Sequence, residues 1–71
     1  MEIETIILDI LKAKGMRVAQ EYEVSMPIAA LEEELARLGF AHDRIRSVIM
    51  QLCVNGVLAM DEMSVYLYGN A

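Results

Sequence analysis

Apolar residues recur along this chain at two periods, and the change from one to the other divides it into elements. Ile3, Ile6, Ile7, Ile10 and Leu11 follow the i, i+3, i+4, i+7, i+8 spacing of one helical face. Glu2 and Glu4 open that helix and Lys12 and Lys14 close it, signs that suit the helix dipole, with Gly15 as the expected stop. Leu8 lies off the stripe, so the helix is apolar over more than one face. That suits a helix wrapped by the rest of the domain or one that meets a second subunit. Between residues 16 and 24 the period falls to two, with Met16, Val18, Tyr22 and Val24 on even positions and Arg17, Glu21 and Glu23 on odd ones. This predicts a short strand, blurred at Ala19 and Gln20, with a helical turn as the alternative.

Ser25 offers an N-cap, and Pro27 suits the first turn of a second helix, where its missing N–H costs little. Ile28, Leu31, Leu35 and Leu38 form the expected buried stripe of that helix, Gly39 ends it, and Glu32-Glu33-Glu34 reads as a solvated face. A third helix runs from His42 to Val54, with Ile45, Val48, Ile49 and Leu52 inward and Asn55-Gly56 closing it. Two short strands follow, 57–60 and 64–68, joined by a tight turn at Asp61-Glu62-Met63. Tyr66 and Tyr68 share one face of the last strand and Val65 and Leu67 the other, so one pair is the less buried. The first and third helices are expected to pack together, with Ile7, Leu35, Ile45, Ile49 and Leu52 among the most buried residues.

Composition adds exclusions. Seventy-one residues make one domain, 1–71, and a 56% hydrophobic share rules out intrinsic disorder. A single cysteine, Cys53, rules out an internal disulfide, and a single histidine, His42, leaves too few soft ligands for zinc, so neither metal nor cofactor is expected. His42 has no evident catalytic partner, and Cys53 lies beside the core stripe with no neighbouring cation to activate it. No glycine loop cradles phosphate and no carboxylate dyad is apparent, so the chain does not read as an enzyme. The acidic start, Met1-Glu2-Ile3-Glu4, lacks the basic character of a secretory signal, and no apolar run approaches the roughly eighteen residues of a membrane span. The expected setting is cytoplasmic, with no membrane contact and Cys53 reduced.

The order helix, short strand, helix, tight turn, helix, two-stranded hairpin is mainly α with a small β-hairpin. It resembles a winged helix-turn-helix. The stretch LGFAHDRIRSVIMQLCVNGVL carries the detailed match, with Gly39 and Gly56 closing the second and third helices around the core spacings of Ile45, Val48, Ile49 and Leu52. It resembles the DNA-reading half of MarR-type bacterial regulators. The phrase EELARLGFAHDRI, with the hairpin soon after, is also similar to the C-terminal winged helix of archaeal minichromosome-maintenance helicases. The tight resemblance covers residues 35–58. It implies a third helix that either enters the DNA major groove or docks protein, since winged helices do both.

Charge separates those uses. With Ile45, Ile49 and Leu52 inward, the outer arc of the third helix runs through Asp43, Arg46, Ser47, Met50, Gln51 and Val54. Two of these are apolar and one is acidic, and Ala41 stands where a Ser, Thr or Asp cap is usual. The net charge is −5, and only residues 40–56, with Arg44 and Arg46 against Asp43, are positive. The hairpin turn carries Asp61 and Glu62 where a DNA-binding wing offers Lys or Arg. The candidate partner-binding residues are therefore Arg46, Ser47, Met50, Gln51 and Val54, and the candidate nucleic-acid contacts are His42, Arg44, Arg46 and Gln51. The expected function is a non-catalytic winged-helix module that binds a protein partner in a nucleic-acid-related complex. It would form a homodimer through the first helix and bind nucleic acid weakly. The alternatives are a small dimeric DNA-binding transcriptional regulator and a small acidic inhibitor of a nucleic-acid-handling machine.

Overall fold

The structure, a computed structural model, describes residues 2–18 and 21–69. Among them the chain forms α1 (Ile3–Lys14), β1 (Met16–Arg17), β2 (Tyr22–Pro27), α2 (Ile28–Arg37), α3 (His42–Val54), β3 (Leu58–Met60) and β4 (Ser64–Tyr68). The strands make one antiparallel sheet in the order β1-β2-β4-β3. The domain is therefore mixed α+β rather than mainly α. The difference arises at residues 16–27, which fold into two strands, β1 and β2, instead of one. Met16 pairs with Ser25 and Arg17 with Val24. β2 then pairs along β4, which joins the early strands to the C-terminal hairpin in one sheet.

That pairing also moves the start of α2. Val24 and Met26 face the core opposite Leu67 and Val65, which holds the chain extended as far as Pro27. Pro27 thus occupies the N-cap of α2 rather than its first turn, and Ser25 lies in the strand, so the expected serine cap does not form. The Ile28 N–H, one of the helix donors that lack an intrahelical partner, donates instead to the Met63 carbonyl in the β3–β4 turn at 2.9 Å.

Helices α2 and α3 end in the same way. At α2, Gly39 takes φ +99°, its N–H donates to Ala36 O, and the Phe40 N–H reaches back to Leu35 O. At α3, Gly56 takes φ +79°, with Gly56 N–H on Cys53 O and Val57 N–H on Leu52 O. Both are Schellman closures, in which a left-handed glycine turns the chain so that the next residue folds back onto the helix. Phe40 and Val57 accordingly pack against the core. Leu38, expected in the stripe of α2, precedes the reversal and is 60% exposed; Phe40 takes the inward place. Gly15 ends α1 differently, at φ −72° and ψ 158°. There the glycine answers a lack of space, because a Cβ would collide with the Leu11 carbonyl and crowd Ser25 O and Val24 Cβ, both at 3.1 Å.

The core takes Ile3, Ile7 and Leu11 from α1, Leu31 and Leu35 from α2, and Ile45, Ile49 and Leu52 from α3. The inner face of the sheet adds Val24, Met26, Leu58, Val65 and Leu67. All five residues expected to be most buried are among them. Ile6, Leu8 and Ile10 are half-buried and pack against this core, as do Val48 and Cys53. The wide exposure of apolar side chains lies elsewhere, at Met16, Leu38, Met50, Val54 and Met63. No helix among the described residues is long and apolar enough to cross a membrane.

Candidate functional site

The sequence of α3 decides which of its side chains are available. Its buried residues Ile45, Ile49 and Leu52 leave Asp43, Arg46, Ser47, Met50, Gln51 and Val54 exposed, the outer arc expected from the spacing, and His42 and Arg44 are exposed beside them. Ala41 caps the helix without a side-chain hydrogen bond.

Among the described residues, half of the six exposed polar side chains of α3, His42, Arg46 and Gln51, are already engaged. The Arg46 guanidinium lies 3.2 Å from Glu32 Oε2 of α2, and its Nε–H donates to His42 Nε2 at 3.1 Å. Gln51 Nε2 donates to Asn55 Oδ1 at 3.3 Å. Of the four candidate nucleic-acid contacts, only Arg44 makes no side-chain bond among the described residues. The acidic run of α2 is what holds the cations. Glu33 pairs with Arg37 at 2.7 Å, and Glu34 with Lys14 of α1 at 2.9 Å. Read from sequence as a solvated face, the run keeps only Glu33 fully outward. Glu32, 15% exposed, ties α2 to α3, and Glu34 ties α2 to α1. The Lys14 ammonium holds the Glu34 carboxyl below its ordinary range, against the opposing effect of desolvation.

The β3–β4 turn is built around Asp61. Its Oδ1 accepts the backbone N–H groups of Met63 at 2.9 Å and Ser64 at 2.8 Å, and its Oδ2 accepts the Tyr66 hydroxyl at 2.6 Å. The Tyr66 bond and then the two backbone bonds hold the Asp61 carboxyl below the usual carboxylate range, and the same contact pushes the Tyr66 phenol up. Asp61 is thus the clasp of the turn. Together with the Ile28–Met63 bond it fixes the β3–β4 hairpin against the start of α2.

Between this hairpin and α3 lies an open groove of about 540 Å³. Pro27, Ile28 and Ala29 form one end, Arg46, Ile49 and Met50 of α3 one wall, and residues 60–63 the other, with Glu32 beside Arg46. Its exposed large apolar side chains are thioethers: Met50 is 59%, Met60 42% and Met63 75% exposed. Three acidic residues, Glu32, Asp61 and Glu62, line the groove with one arginine; Glu32 is paired with Arg46 and the Asp61 carboxylate is taken up by the turn, which leaves Glu62.

The structure therefore brings two of the candidate partner-binding residues, Arg46 and Met50, into one groove and leaves Ser47, Gln51 and Val54 outside it. Val54 is 78% exposed at the end of α3 and does not continue the Met50 surface into the groove. The hairpin methionines and the 27–29 segment complete the site. Met60 and Met63 carry a signal in the sequence, as polarizable side chains that suit an adaptable protein contact alongside Met50, whereas the 27–29 segment carries little, since Pro27 reads as a helix start.

The outer face of the sheet carries a separate aromatic cluster. Tyr22 stacks at 5.0 Å from Tyr66 and 5.2 Å from Tyr68. Tyr22 reaches that face because of a register shift: it pairs with Tyr68, whereas Val24 pairs with Leu67, so two steps on β2 match one on β4. The bulge turns Tyr22 to the opposite face from Val24, although strict alternation puts them together. Cys53 is half-buried with its thiol, and burial pushes its pKa up, which disfavours the nucleophilic thiolate.

Compared with known proteins, the chain matches no family model, no curated protein and no solved structure.

Proposed function

We propose that this chain is a non-catalytic winged-helix module that acts through protein contacts made in the groove between α3 and the β3–β4 wing. Several features support the winged-helix reading. Of the two strands between the first two helices, β2 lies next to β4, the hairpin follows α3 directly, and α2 and α3 are joined by the short turn 38–41. The observation that carries the protein-docking reading is the groove itself, an apolar surface lined by three exposed methionines beside an arginine already paired with Glu32. Methionine thioethers adapt their shape to a partner and carry no charge for phosphate. A DNA-reading surface needs the reverse, several unengaged cations facing outward. Here Asp61 and Glu62 occupy the wing and half of the six cations, Lys14, Arg37 and Arg46, are bound to the α2 carboxylates.

The test is a titration of a fluorescently labelled random duplex, read by anisotropy at low and at physiological salt. No saturable binding is expected below about 10 μM protein at about 0.15 M salt. Sub-micromolar affinity that vanishes in the Arg44→Ala, Arg46→Ala double variant would replace this reading with the regulator. Met50→Asp, a change at a widely exposed position, should leave far-UV circular dichroism and Tm within about 3 °C of the parent while altering the docking surface.

A further inference from the structure

The groove has a chemistry that selects among protein partners. We propose that its occupant is a cationic amphipathic helix of a partner protein, with apolar side chains in the groove and Lys or Arg along its rim; this rests on the docking function proposed above. The floor supplies the apolar half of the argument. Ile28, Ala29 and Ile49 line it together with the adaptable thioethers of Met50, Met60 and Met63, a surface suited to the i, i+3, i+4 and i+7 anchors of a helix. An extended peptide would find little purchase, because β3, the sheet edge on that side, is three residues long.

Charge complementarity supplies the other half. Among the described residues Arg46 is the one cation lining the groove and is paired with Glu32, and the Asp61 carboxylate is taken up by the turn, so Glu62 is the charge left over at the lining. Glu62 at the wing makes no ion pair among the described residues and faces solvent. The whole chain carries −5, which attracts a basic segment from a distance and repels the two other apolar-and-charged surfaces in a cell, nucleic acid and anionic membrane. The wing is also held before any partner arrives. The three bonds onto Asp61 and the Ile28–Met63 bond fix its backbone, so binding orders side chains and leaves the wing's backbone unchanged.

The experiment is selection of ligands for the full chain from an unbiased phage library of random peptides of about sixteen residues. Synthetic versions of the winners are then titrated by fluorescence anisotropy. Winners are expected to be helical on binding, rich in Lys and Arg, and apolar at helical spacing. Their affinity should fall about tenfold or more in Met50→Asp and in Met63→Asp. It should stay unchanged in Met16→Asp, an equally exposed methionine on the outer sheet face. Glu62→Lys should weaken binding about fivefold at low salt, with the difference shrinking at about 0.5 M salt. Winners that depend on Met50 and Met63 but carry no excess of Lys and Arg would overturn the cationic occupant and leave the docking function standing. Winners indifferent to both methionines, or none at all, would overturn both.

Discussion

Leu35 and Leu38 test the packing most directly, because one helical spacing places both on the buried stripe of α2 and the structure separates them. Leu35 is fully buried among the core residues, and Leu38 is 60% exposed at the C-cap. Leu35→Ala removes three carbons from a site with no solvent contact. At about 0.8 kcal/mol per buried methylene the transfer loss alone is about 2.4 kcal/mol, and the residual cavity raises the expected cost to about 2–5 kcal/mol. At roughly 0.05–0.15 kcal/mol per residue, a domain of this length has about 4–11 kcal/mol to lose. Leu38→Ala removes the same atoms from a largely wet position and should cost under about 1 kcal/mol. The assay is urea and thermal unfolding of both variants, followed by far-UV circular dichroism. Since each kcal/mol moves Tm by about 4–8 °C in a domain this small, Leu35→Ala should lower it by about 10 °C or more and Leu38→Ala by less than about 8 °C. Equal losses for the two variants would refute the Schellman reversal at Gly39 as the feature that exchanges Leu38 for Phe40 in the core.

Two further outcomes follow from local geometry. At Gly39, where a Cβ meets nothing, Gly39→Ala should cost about 1 kcal/mol from the left-handed backbone alone. Gly15→Ala, which drives a Cβ into the Leu11 carbonyl, should cost more in the same unfolding assay. The Asp61–Tyr66 contact should give stability two pH limits. Asp61 is lowered in the fold, so its contribution is present above its unfolded pKa and is lost as pH falls through the folded value. Tyr66 is raised, so its contribution is present below its unfolded pKa and is lost as pH rises through the folded value. In Tyr66→Phe the Asp61 carboxyl, followed by its NMR shift, should titrate at higher pH than in the parent; an unchanged midpoint would remove the Tyr66 bond as the leading cause.

What could be read from sequence was whatever depends on residues a few positions apart. α3 runs from His42 to Val54 as its spacing predicted, its inward face is Ile45, Ile49 and Leu52, and its outer arc is exposed. The hairpin strands pair as expected through Leu58–Leu67, Ala59–Tyr66 and Met60–Val65. The glycine endings of α2 and α3 were legible because a left-handed residue just past a helix is a local requirement. Of the candidate site, Arg46 and Met50 were legible for the same reason, as outward positions on a single helix.

The rest depended on pairings between distant parts of the chain, which local periodicity does not encode. Tyr22 meets Tyr68 and Val24 meets Leu67 across a bulge, and a one-residue insertion in a ladder reverses the facing of everything beyond it. The same long-range ladder kept Pro27 in a strand and enlarged the hairpin to four strands. Glu32 and Glu34 look like solvated charges until packing brings Arg46 and Lys14 beside them from neighbouring helices. The groove exists only because the β3–β4 hairpin, clasped by Asp61 and tied to Ile28, stands opposite α3. Spacing along the chain decides which way each side chain points on its own element, and only the closing of those elements on one another decides what it meets there.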